Sequence, residues 1–87
     1  MKQAEFSVLK KRVEDVTHDS PVGGRIKNIV IEADDDGTGS DFLRIILETA
    51  SLDDVNVEDL IPVVESIETA LLELDDRFPS VRFADAA

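Results

Sequence analysis

Eighty-seven residues, 43% of them hydrophobic and only 5% aromatic, allow one modest core built on Ile, Leu and Val. A chain of this length buries roughly 60–65% of the surface it exposes when unfolded. The lack of any Cys excludes disulfides, thiolate zinc sites, iron–sulfur clusters and a cysteine nucleophile, and a formal net charge of −11 makes anionic partners unfavourable.

The segment from Lys2 to about Val16 has the spacing of an amphipathic helix, with Phe6, Leu9, Val13 and Val16 on one face and Lys10, Lys11, Arg12, Glu14 and Asp15 on the other. Thr17 to Gly24 breaks it, Pro21 and the Gly23-Gly24 pair supplying the punctuation. Arg25 to Ala33 reads as a strand, with Ile29, Ile31 and Ala33 on one face and Ile26, Asn28, Val30 and Glu32 on the other. Phe42 to Thr49 reads as a second. Its Leu43, Ile45 and Leu47 are assigned to the core, whereas Phe42, Arg44, Ile46 and Glu48 form a mixed, wet face. The short span between the two strands predicts an antiparallel hairpin.

A polar connector, Ser51 to Asn56, leads to the strongest pattern in the chain: Leu60, Val64, Ile67, Leu71 and Leu74, widened by Val63 and Ala70. Asn56 is the expected N-cap, and Glu58 and Asp59 complement the helix dipole. Pro62 predicts either a separate short turn at Val57–Ile61 or a kink. Glu65, Glu68, Glu73 and Asp75 are placed on the exposed side. Asp76-Arg77-Phe78-Pro79 ends the helix, because a residue before Pro disfavours α geometry. Ser80 to Ala84 alternates as a short third strand, with Val81 and Phe83 toward the core and residues 85–87 as a frayed tail. The expected fold is a single α+β domain over residues 1–87, of order α-β-β-α-β, with two helices on one face of an antiparallel hairpin sheet.

Charge is unevenly placed. Residues 1–27 hold six basic residues against four acidic ones, while residues 28–87 hold three against sixteen. Such a field repels phosphate backbones and anionic lipid, so neither nucleic acid nor a membrane is the expected partner. Lys10-Lys11-Arg12 lacks the interleaved aromatics of a nucleic-acid surface and is read as a solvated helix face. Met1 to Glu5 has no apolar signal-peptide core, and no apolar run approaches the ~20 residues that span a bilayer. Together with the missing Cys, this predicts a cytoplasmic location.

The sequence Asp34-Asp35-Asp36-Gly37-Thr38-Gly39-Ser40-Asp41 invites a calcium reading, which fails position by position. An EF-hand loop begun at Asp34 puts Ile45 at its twelfth position, one begun at Glu32 puts Leu43 there, and the flanks are strands. Gly37-Thr38-Gly39-Ser40 has neither P-loop nor dinucleotide-binding spacing, and no helix follows it. Gly39-Ser40 followed by Asp41 resembles minimal nucleotidyltransferases, but Leu43 and Arg44 stand where further acids are needed. His18 is the one histidine and has no relay partner in sequence. In composition the chain resembles acyl carrier proteins, yet Asp19-Ser20 runs into Pro21, Ala50-Ser51-Leu52 lacks the Asp, and the hairpin contradicts an all-helical bundle. No metal, cofactor or catalytic set is therefore expected.

Two functions fit what remains. One is a noncatalytic interaction module, of antitoxin, immunity, inhibitor or small regulatory type, that engages a basic protein through Asp34, Asp35, Asp36 and Asp41 at the hairpin tip and Glu65, Glu68 and Glu73 on the helix. The other is a self-associating structural domain, a homodimer through a sheet edge or face.

Overall fold

The computed structural model describes residues 3–50 and 56–85. Helix α1 spans Phe6–His18, a 3₁₀ turn spans Gly23–Arg25, strands β1 and β2 span Ile26–Asp35 and Asp41–Thr49, helix α2 spans Val57–Leu72, and strand β3 spans Phe78–Asp85. The order is α-β-β-α-β, as the patterning predicts. Most of the polar connector (residues 51–55), Lys2 and the last two residues of the expected tail lie outside the described residues, whereas Asp85 ends β3.

The sheet has the order β1-β2-β3. β1 and β2 form the antiparallel hairpin, but β3 joins the other side of β2 in parallel, so the sheet is mixed. The length of α2 explains this. Sixteen helical residues climb roughly 24 Å, about the length of an eight-residue strand. One pass along α2 therefore returns the chain to the start of β2, and β3 runs the same way.

One face of the sheet is the core. Ile29, Leu43, Ile45 and Leu47 meet Leu9 and Val13 of α1 and Val63, Ile67 and Leu71 of α2, with Val22 closing one end and Val81 and Phe83 packed against the cluster. Ala33 shares that face through its pairing with Leu43, yet this small residue on an edge strand stays exposed. β1 runs two residues beyond the expected end because Asp34 and Asp35 continue the ladder opposite Phe42 and Asp41. β3 begins early, at Phe78, with Pro79 fully buried opposite Leu43.

α1 continues past Val16 because Thr17 is buried and its hydroxyl donates to the Val13 carbonyl at 2.9 Å. Phe6, expected in the core stripe, is 43% exposed and lies beneath the Arg77 guanidinium, 5.7 Å from its ring centre. Asn56 occupies the N-cap position of α2 without a side-chain capping bond, and α2 runs continuously through Pro62 with no separate turn.

Asp75 corrects the sequence reading outright. Expected on the exposed side of the helix, it is fully buried. It stands one helical turn after the buried Leu71, and its N–H bonds to the Leu71 carbonyl at 2.9 Å, which keeps it on the buried side. Its carboxylate accepts the Ala4 N–H at 2.9 Å, the Arg77 N–H at 2.9 Å, and the Arg77 Nε and Nη2 protons at 2.9 and 2.7 Å. The Arg77 side chain bonded to it holds its pKa down at about 2, from an ordinary 3.8. Folding stability from this group is thus complete above the unfolded carboxylate pKa and is lost as pH falls from about 4 through 2.

Two predictions follow from these contacts. Urea denaturation across a pH series is expected to show a loss of about 2 kcal/mol between pH 4.5 and 2 from this group. Asp75→Asn is expected to be flatter over that range and, at pH 7, less stable by about 3 kcal/mol. At Gly23, an added Cβ would sit 2.5 Å from the Thr17 carbonyl oxygen, whereas at Gly24 it would meet nothing within 4 Å. Gly23→Ala is expected to lower stability by about 1–3 kcal/mol while Gly24→Ala stays within about 0.5, measured by thermal melts.

Candidate functional site

The hairpin tip assembles four of the seven expected contact residues. Asp35 stands opposite Asp41 in the ladder, and the Asp36 N–H donates to the Ser40 carbonyl at 3.0 Å. Gly37 and Gly39 have φ of 85° and 93°, the left-handed values that close the turn and that glycine adopts without steric cost. The carboxylates serve the turn itself. Asp35 accepts the Gly37 N–H at 3.0 Å, Asp36 accepts the Thr38 N–H at 2.8 Å together with the Thr38 hydroxyl, and Asp34 accepts the Asp35 N–H at 2.8 Å and an Arg44 Nη2 proton at 2.8 Å. The pKa of Asp36 is lowered, chiefly by the Thr38 hydroxyl, and that of Asp34 by the Asp35 N–H and then Arg44.

The other three lie on or just after α2. Glu65 and Glu73 border a shallow groove between α1 and α2, and Glu73 pairs with Arg12 at 3.8 Å; Glu68 is half-buried and outside that groove. The seven acids thus form two sets on different elements. Among the described residues no group of three His, Cys, Asp or Glu side chains is placed to hold a metal ion, and no helix is long and apolar enough to cross a membrane.

The surface that residue-by-residue reading undervalued is the second face of the sheet. Both helices pack on the first face, and among the described residues no helix or strand lies over the second. Cross-strand register arranges it in rows: Asn28, Glu48 and Ala84; Val30, Ile46 and Arg82; Glu32, Arg44 and Ser80; Asp34, Phe42 and Phe78. Val30 meets Ile46 and Phe42 meets Phe78, so two apolar pairs stand on an uncovered sheet, and Phe78 is 56% exposed. Arg44 lies between them, 5.4 Å from the Phe42 ring centre, pairing with Glu32 at 3.5 Å and Asp34 at 2.8 Å. Asn28 donates to Glu48 at 2.9 Å. Arg82 is exposed, with no ion-pair partner among the described residues. Two arginines against Glu32, Asp34 and Glu48 leave the face close to neutral on a chain of net charge −11. The period-2 alternation of β2 carried half of this signal. The rows themselves depend on the parallel pairing of β3.

Neither the protein-family models nor the curated proteins contain a match to this chain. Solved structures do match in fold. A doubly substituted variant of MamM CTD has a TM-score of 0.54 at 14% identity, covering 97% of this chain and 100% of that one. A His-to-Ala variant gives 0.54 at 13% identity over 95% and 100%. An Asp-to-His variant in its copper form gives 0.53 at 13% identity over 95% and 100%. At this level of identity the likeness is one of fold: the chain has the α+β fold of the MamM CTD.

Proposed function

We propose that the chain is a noncatalytic, self-associating domain that forms a homodimer through the uncovered face of its sheet. The observation that carries this reading is the coincidence, on that one face, of an exposed Phe78, the half-buried Val30, Phe42 and Ile46, and near-neutral charge. Two copies of a protein with net charge −11 repel through most of their surfaces. They approach at least cost where each presents few net charges beside apolar side chains. A two-fold axis parallel to the sheets and lying between them sets the patch of Val30, Ile46, Phe42 and Phe78 of one copy against the same patch of the other, and gives the unpaired Arg82 access to the partner's carboxylates. Three strands about 4.8 Å apart and eight residues long span roughly 14 by 26 Å. That area falls at the small end of specific interfaces, so the dimer belongs to the weak, micromolar class.

Copper, named for one MamM variant, is not carried over, since the donor set for it is missing among the described residues. A second reading keeps a basic protein as partner, docking on Asp34, Asp35, Asp36, Asp41, Glu65, Glu68 and Glu73. It is supported by the exposure of the tip carboxylates and by the lowered pKa of Asp34 and Asp36, which keeps them charged. Both readings suit a cytoplasmic protein.

Sedimentation equilibrium from 10 to 500 μM tests the dimer. The mass is expected to rise from 9.6 kDa toward twice that value with concentration, and Ile46→Lys is expected to hold it at the monomer with about tenfold or greater weakening. A concentration-independent monomer of the native chain defeats the proposal. Acceleration of association by lower salt, with loss on Asp35→Lys and Asp36→Lys, would shift the choice to the basic partner.

A further inference from the structure

We infer that the recess between the end of α1 and the start of β1 is a binding site for a compact phosphate dianion. The first observation concerns the cations. With twenty acidic residues against nine Lys and Arg, carboxylates outnumber the cations about two to one. Lys11 pairs with Asp15, Arg12 with Glu73, Arg44 with Glu32 and Asp34, and Arg77 with Asp75. Arg25 also has a partner. Among the described residues, Lys10, Lys27 and Arg82 are the Lys and Arg side chains left without one. Two of these three line the same recess, beside His18.

The second observation is how the backbone builds that hollow. The ladder slips between Ile26 and Asn28, so Lys27 is the extra residue of a β-bulge, a device that re-aims a side chain. Gly23 lies so close to the Thr17 and His18 carbonyls that no Cβ fits, which holds the 3₁₀ turn against the helix end and forms one wall. The recess has a volume of about 250 Å³, enough for a phosphate and a small ester group. Lys10 comes from the helix and Lys27 from the bulge, and His18 lines the recess beside them. Lysine is a good point-charge partner for a phosphate, with three rotatable N–H donors on each ammonium, whereas a planar carboxylate is better matched by the fork of an arginine. One carboxylate, Glu14, also lines the recess, so its fixed charges are two positive against one negative.

The overall negative charge does not forbid this. β1 carries the chain from the recess at Asn28 to the acidic tip at Asp36, roughly 26 Å along the strand. That is about three Debye lengths at physiological ionic strength, so the tip's field is largely screened at the recess.

The test is a titration of the ¹⁵N-labelled full chain with inorganic phosphate at constant ionic strength, reading the amide shifts of Lys10, His18 and Lys27 and the His18 ring signals. Saturable shifts confined to the recess are expected. The double variant Lys10→Gln, Lys27→Gln is expected to weaken binding about tenfold or more, while Asp35→Asn with Asp36→Asn stays within about twofold of the native chain. Equal shifts with chloride at matched ionic strength, or unchanged phosphate affinity in the lysine variant, would overturn the site. Tighter binding of a tri-aspartate peptide than of phosphate would also overturn it, in favour of an acidic protein segment.

Discussion

The buried carboxylate of Asp75 is the constraint on which the arrangement of both helices and the third strand depends. It stands three residues beyond α2, receives the main chain ahead of α1 through Ala4, and fixes Arg77 immediately before β3. A buried ion pair repays its desolvation only when the remaining lone pairs and protons are satisfied. Here four donors converge on two oxygens, and among the described residues no buried side-chain nitrogen or oxygen lacks a partner. The same Arg77 covers Phe6, which seats an aromatic ring that the core does not enclose. One small polar cluster therefore sets where α1 begins, where α2 stops being a helix, and where β3 can start.

The other ion pairs are of a different kind. Lys11 with Asp15 and Arg12 with Glu73 are solvent-exposed, and pairs of that sort contribute at most about 1 kcal/mol each. Their effect is on the surface field. With the pairs of Arg44 and Arg77 they engage four of the nine cations, and two places are set apart on this acidic molecule: a nearly neutral sheet face and a hollow lined by two lysines. In a chain with so few basic residues, the location of each unpaired one carries more information than the total charge.

Much of the fold was legible in the sequence. Leu43, Ile45 and Leu47 alternate cleanly and are all fully buried, and Ile67 and Leu71 sit at the centre of the stripe that their spacing marks. What escaped follows from tertiary geometry. Asp75 was assigned to the exposed side by its charge, yet it stands one helical turn after the buried Leu71, to whose carbonyl its N–H bonds, and only the distant Ala4 and the Arg77 fork make burial of that charge tolerable. Pro79 reads as a helix stop, and in the structure it is also a buried strand residue, because the N–H it lacks is dispensable on an edge strand. The rows of the second sheet face were invisible for another reason. Phe42 and Phe78 lie 36 residues apart, and only the parallel register set by α2 makes them neighbours. The hairpin pattern placed the four tip carboxylates together, but sequence could not show that the turn's own N–H groups occupy several of them.

The central position of β2 has a consequence for local stability. It is the one strand hydrogen-bonded on both sides, while β1 and β3 each leave one edge open among the described residues. Every second side chain of β2 from Leu43 to Thr49 is fully buried. The backbone amides of β2 can therefore exchange with solvent only when a whole ladder parts, whereas the outward amides of its neighbours exchange from the intact fold. Hydrogen exchange would see this small protein as a slow spine flanked by two fast margins, with the slowest part of the chain beginning immediately after its most charged turn.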